Sequence, residues 1–225
     1  MATKPAFDAD ALISQFETAT AQGSAKLRQA VGDATLQALQ GRELSLKNIR
    51  AVLGTVTQAT NAGLAKNVNP ALDAEALIDQ SVQGMDDALL KAVDAHRVAL
   101  QQLTAQGADL RDKHLKKALS DLEKMEDTLM ASVQKGAAGI GEPFAGAWAQ
   151  MLEKMNAGGT LVGAQANSTV EQMVQQMHSA MRDSRNAGLR AAQALAESYT
   201  AMVSGVLIGM SDAMRAPAAR KTTKK

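Results

Sequence analysis

Asn69-Pro70 opens a long uninterrupted stretch that decides the fold. Its centre reads Ile78-Asp-Gln-Ser-Val82-Gln-Gly-Met85-Asp-Asp-Ala-Leu89-Leu-Lys-Ala-Val93-Asp-Ala-His96-Arg-Val-Ala-Leu100-Gln-Gln-Leu103. Asparagine caps helices and proline suits the first helical position. Asp73, Glu75 and Asp79 then complement the positive end of the helix dipole. The apolar seam Ile78, Val82, Met85, Leu89, Val93, His96, Leu100, Leu103 advances by three and four residues. Its members recur at eleven (Ile78, Leu89, Leu100), a period of about 3.67 residues per turn, which keeps a helix nearly straight. Beyond Leu110 the seam shifts toward a heptad through Leu115, Leu119, Leu122, Met125 and Leu129.

No proline or helix-ending cluster interrupts Pro70 to about Lys135. A glycine-rich corner follows, Gly136-Ala-Ala-Gly139-Ile-Gly141-Glu-Pro143, and a second periodic stretch runs to about Met214. It carries Val170, Val174, Met177 and Met181, a weak patch at Arg182–Gly188, then Ala191, Leu195, Tyr199, Met202, Val206 and Met210. Eleven-residue recurrences appear here too, so the two arms can lie side by side in register. At ~1.5 Å per residue each unbroken arm would span roughly 100 Å. The expected fold is all-α: an elongated helical bundle built on a long antiparallel hairpin over 70–214, its corner near 136–143.

Residues 1–69 hold two shorter helical segments expected to pack on one end of the hairpin. Asp8 caps the first, with Leu12, Ile13 and Phe16 on its apolar face, and Gly23-Ser24 kinks or restarts it. Ser45 caps the next, with Leu46, Ile49, Leu53 and Val56 at helical spacing, ending around Asn67. Gly158-Gly159 and Gly163 should break the start of the return arm.

Composition agrees. Alanine, leucine, methionine, glutamine and lysine favour helix. The aromatics are Phe7, Phe16, Phe144, Trp148 and Tyr199 alone, too few for a thick core. The chain has no cysteine, which excludes disulfides and thiolate metal sites. Its N-terminus lacks the apolar core of a secretion signal, and no stretch suffices to span a membrane. A cytoplasmic, bacterial-type protein is the expectation.

The net charge of +1 hides a division. Arg215, Arg220, Lys221, Lys224 and Lys225 lie in the tail 215–225, expected to be disordered. Setting these five aside from the 24 basic residues leaves 19 against 23 acidic ones, a body of about −4. Such a tail can solubilise the chain or touch nucleic-acid phosphates, with too few charges to bind tightly alone.

Catalytic and metal constellations are not legible. His96 sits on the apolar seam and reads as a buried or boundary histidine, distant from His114 and His178. The Glu-x-x-His pairs of carboxylate-bridged metal helices do not occur. Asp86-Asp87, and Glu123 with Asp127, read as solvated polar faces. The corner glycines lack the Gly-Lys-Ser/Thr ending of a phosphate loop, and Ser132-Val-Gln-Lys135 lacks the companions of a Ser-x-x-Lys hydrolase. An enzyme, a cofactor and a metal are therefore not expected.

Residues 128–181 are instead poor in charge, carrying Lys135, Glu142, Glu153, Lys154 and Glu171. Methionines, which adapt to irregular apolar partners, concentrate in the return arm. Phe144 and Trp148, four apart on one face, could enter a lipid-like or polymer surface or close the end of the bundle. The residues expected to meet such a surface are Phe144, Trp148, Met151, Met155, Leu161 and Val162.

The long Ala-, Met- and Gln-rich helices, low aromatic content, missing cysteine and Ala216–Lys225 tail together resemble phasins. These are helical proteins that coat bacterial polyhydroxyalkanoate granules. The likeness is one of composition and layout over 70–225, without a residue-by-residue motif. It implies a non-catalytic, granule-associated amphipathic coat, with a tail that binds DNA in some members. Two other readings stand beside it: a self-associating coiled-coil scaffold forming a homo-oligomer, and a nucleoid-associated DNA binder acting through the tail. An uncharacterised helical family is a further possibility.

Overall fold

The computed structural model of the chain describes residues 8–40, 44–67, 73–105, 113–138, 144–183, 199 and 202–211. The fold is all-α, and no strand occurs among the described residues. The helices are α1 (Ala9–Ala21), α2 (Ser24–Leu39), α3 (Leu46–Lys66), α4 (Ala74–Ala105), α5 (Lys113–Glu123), α6 (Met125–Ala137), α7 (Ala145–Gly158) and α8 (Leu161–Asp183). A further helical stretch covers 202–211.

Local chemistry accounts for several of these boundaries. The Asp8 carboxylate accepts from the N–H groups of Asp10 and Ala11, satisfying donors that the first helical turn leaves free. Gly23, at φ 109°, separates α1 from α2 in a conformation that favours glycine. Asn67 ends α3, and its side chain donates to the carbonyl of Glu17 on α1. The expected Asn69-Pro70 start lies outside the described residues. At the start of α4, Asp73 accepts from the N–H of Ala76.

Every residue of the expected α4 seam, from Ile78 to Leu103, is buried, His96 included. Leu122, Met125 and Leu129 are buried as well, as the heptad-like continuation predicts. On the return segment the register is offset by one. Ala166, Thr169 and Met173 are buried beside half-buried Val170 and Val174. Farther along the offset has the opposite sense, with Val203 and Leu207 taking the places expected of Met202 and Val206. On α8 the small residues Ala166 and Thr169 occupy the inner stripe, which leaves Val170 at its edge.

The single arm expected from Pro70 to about Lys135 is divided. α4 is described as far as Ala105, and α5 and α6 are separated at Lys124, which has φ −95° and ψ 4°. Glu126 on α6 lies close enough to Asp86 on α4 for its charge to act on that carboxyl. One straight helix would hold these two about 60 Å apart. Folding back covers the seam intramolecularly, which a lone rod could not do.

α4 packs along α2 and against α7 and α8, while α3 packs along α1 and α6. One apolar core joins all of these helices. At the α2–α4 crossing Gly32 meets Gly84: a Cβ on Gly84 would stand 2.5 Å from the carbonyl oxygen of Arg28. Arg28 then fastens the crossing, with Nε 2.8 Å from Asp87 Oδ2, Nη2 3.1 Å from Asp87 Oδ1, and Nη1 donating to Gln83. Gly136, expected in the corner, is a helical residue of α6 buried against Thr57 of α3. The rest of that corner, 139–143, lies outside the described residues.

Candidate functional site

The first turn of α8 is where three elements converge. A helix begins with N–H groups that have no intrahelical acceptor, and burying them unpaired is costly. Here each finds one. Glu126 Oε1, from α6, accepts from the N–H of Thr160 at 2.8 Å and from its hydroxyl at 2.9 Å. Asp86, from α4, accepts from the N–H of Leu161 through Oδ2 at 2.9 Å and from that of Val162 through Oδ1 at 3.0 Å. Thr160 Oγ1 accepts from the N–H of Gly163 at 3.1 Å. Gly163 makes room for this arrangement, since a Cβ there would stand 2.1 Å from Glu126 Oε2.

Asp86 is only 7% exposed, so the solvated face expected for it is corrected. Burial pushes its carboxyl above the ordinary range, against the two N–H bonds that favour the charged form. The negative charges of Asp87 and Glu126 add to the upward push. Asp87 is the half-exposed partner of Arg28. The signal for Asp86 was present in the seam itself. It stands four residues after Val82 and three before Leu89, a register that faces the core.

A second polar contact lies farther along α4. His96 Nδ1 is hydrogen-bonded to the hydroxyl of Tyr199, and both side chains are buried. Burial lowers the His96 pKa to about 4, against the opposing influences of Asp121 and the Leu44 backbone. Burial likewise pushes the Tyr199 phenol upward. His96 Nε2 has no hydrogen-bond partner among the described residues.

The six residues expected to form an apolar contact surface do not share an exposed face in this structure. Trp148 is fully buried, and Met151, Met155 and Val162 are buried with it in the core. Phe144 is half-buried against the same core, and Leu161 is 58% exposed. The reason is the fold-back: α7 and α8 turn their apolar faces onto α4 and α6. The outward faces carry small and amide side chains, such as Ala149, Gln150, Ala164, Asn167 and Gln172. The exposed charges there among the described residues are Glu153, Lys154 and Glu171. The tail residues Arg215, Arg220, Lys221, Lys224 and Lys225 lie outside the described residues.

An open groove of about 520 Å³ between α1 and α2 is lined by solvent-facing Ser14, Gln15, Thr18, Gln22, Lys26 and Asp33. Among the described residues no group of three or more His, Asp or Glu could hold a metal ion. No helix among them is long and apolar enough to cross a membrane.

The chain matches a family of unknown function (DUF6781) over residues 2–216, and it belongs to that family. No curated protein and no solved structure matches it.

Proposed function

We propose that this DUF6781 protein is a non-catalytic amphipathic helical protein that binds a hydrophobic surface, such as a polyhydroxyalkanoate granule, by swinging α7 and α8 away from α4 and α6. One observation carries the reading. The apolar face of α7 and the start of α8 (Trp148, Met151, Met155, Val162) is buried inside the molecule, while the faces around it are nearly uncharged. In the closed form the exposed large apolar side chains among the described residues are Leu161 and Ile208, too little area to hold a surface. Opening would present the buried face, and binding would draw on roughly 25 cal/mol per Å² of apolar area covered, less the cost of opening.

The test is co-sedimentation with polyhydroxybutyrate particles, with phospholipid vesicles and buffer alone as controls. The chain has no cysteine, so D94C and Q165C can be joined by a short thiol-reactive crosslinker. Asp94 and Gln165 hydrogen-bond between α4 and α8 in the closed form. Saturable binding to the polymer that is lost on crosslinking supports the reading. Binding that survives the crosslink rules out opening, and protein left in every supernatant rules out the surface.

A self-associating scaffold is the second reading, favoured by the small, nearly uncharged outward faces of α7 and α8, which offer another copy little charge repulsion. Sedimentation velocity showing a fixed oligomer, with no polymer binding, would select it.

A further inference from the structure

We propose that α7 and α8 form a strap that opens as a unit, and that the paired carboxylates Asp86 and Glu126 at the first turn of α8 are its release point. The proposal rests on the opening motion of the preceding section and adds where it starts and what controls it.

Two negative groups, brought from different helices, are directed at one helix start. Asp86 and Glu126 each accept from α8 through carboxylate oxygens, on adjacent residues. Every one of these bonds favours closure, and the positive end of α8 attracts both charges. Their mutual repulsion and the desolvation of Asp86 oppose it. The contact is therefore directional and opposed by its own charges, which suits a joint that must close in one geometry and still open.

The buried face of the strap carries further uncompensated groups. Trp148 Nε1 on α7 and Thr169 Oγ1 on α8 are buried without a hydrogen-bond partner among the described residues. Unpaired atoms also occur on Gln40, Thr60, Asn61 and His96. The coincidence with two carboxylates, one of them buried, at a helix start is what singles out α7 and α8. By contrast, the α2–α4 crossing is closed by backbone contact at Gly32 and Gly84 and by the fork of Arg28 on Asp87. The strap should open before that crossing does.

Glu126→Gln separates charge from hydrogen bonding. Glutamine keeps the Oε1 acceptor for both Thr160 donors and removes one of the two charges. Asp86→Ala removes the acceptor for Leu161 and Val162 altogether. Trp148 is the only tryptophan, so acrylamide quenching of its fluorescence reads strap opening without any surface present. Hydrogen exchange at Leu161, Val162 and Gly163 reads the release point itself.

Glu126→Gln should lower Trp148 quenching and slow exchange at those three amides. Asp86→Ala should raise quenching by about twofold or more and speed the same amides, with exchange at the α2–α4 crossing unchanged. Unchanged quenching in both variants, or opening spread evenly over α2 and α4, would overturn the proposal. A variant that lost helicity altogether would overturn it as well, because a release point must uncouple the strap and leave the remaining bundle folded. Polymer binding is not measured here, so a surface that fails to bind and a strap that fails to respond are separate results.

Discussion

Gly32 and Gly84 face each other across α2 and α4, so closely that a Cβ on Gly84 would stand 2.5 Å from the carbonyl oxygen of Arg28 and 3.1 Å from the nitrogen of Gly32. The obstacle is backbone on both counts, and it can move only if the two helices separate.

Gly84→Ala should therefore destabilise the protein although alanine is the better helix former. The propensity gain is at most about 1 kcal/mol. Forcing the crossing apart should cost about 1–3 kcal/mol and disturb the Arg28–Asp87 fork as well. Gly54, on α3, is the control, since a Cβ there meets nothing within 4 Å. Gly54→Ala should raise the melting temperature and Gly84→Ala should lower it; a rise in both would show that the crossing has slack.

Trp148 was legible as important, while the sequence left open where it points. Its four-residue spacing from Phe144 marks a helical apolar face, but the sequence does not say whether that face meets another part of the same chain. Trp148→Ala should cost about 3–5 kcal/mol, as expected for a fully buried indole, and should not act on surface binding alone. Trp148→Phe should cost much less, because it also deletes an Nε1–H that has no partner among the described residues. Urea unfolding of both variants checks the order, and equal losses would place the indole N–H in a bond.

What the sequence made legible were one-dimensional properties. Helical period, the α4 seam, the Asp8 cap and the Gly158-Gly159 break can all be found by walking along the chain, because each is decided within a few turns. The fold-back within 70–135 was not, since an unbroken seam is equally compatible with one long helix and with two that cover each other. Asp86 shows the same limit. Its register placed it in the core, yet its partner donors are about 75 residues away in sequence, on α8. Without that partner a buried aspartate is less economical than a solvated one, and the polar reading prevails.

Gly163→Ala acts on the joint indirectly. The added Cβ would take the space of the Glu126 carboxylate, which is the end of a flexible side chain and can swing out. Helical propensity would then favour alanine by up to about 1 kcal/mol, while Thr160 loses its acceptor for both donors at about 1–3 kcal/mol. The expected net effect is a small loss of global stability with a larger rise in exchange at Thr160. A variant more stable than the parent would show that Glu126 contributes little to closure.

His96 supplies a pH dependence of definite sign. Its folded pKa of about 4 lies below the ordinary value of 6.5, so the folded chain holds it neutral while the unfolded chain protonates it first. Its contribution is thus fully present above about pH 6.5 and lost as pH falls toward 4, amounting to something on the order of 3 kcal/mol. Asp86, whose folded carboxyl is pushed upward, works in the opposite direction across the carboxylate range. The two are separated by comparing the parent with His96→Gln, whose amide oxygen can still accept from Tyr199. Urea unfolding at about pH 7.5 and about pH 5 should show the parent losing stability on acidification and the variant losing markedly less. Equal losses in the two proteins would mean that His96 is solvated in the folded state, and the Tyr199 contact with α4 would then have to be broken in solution.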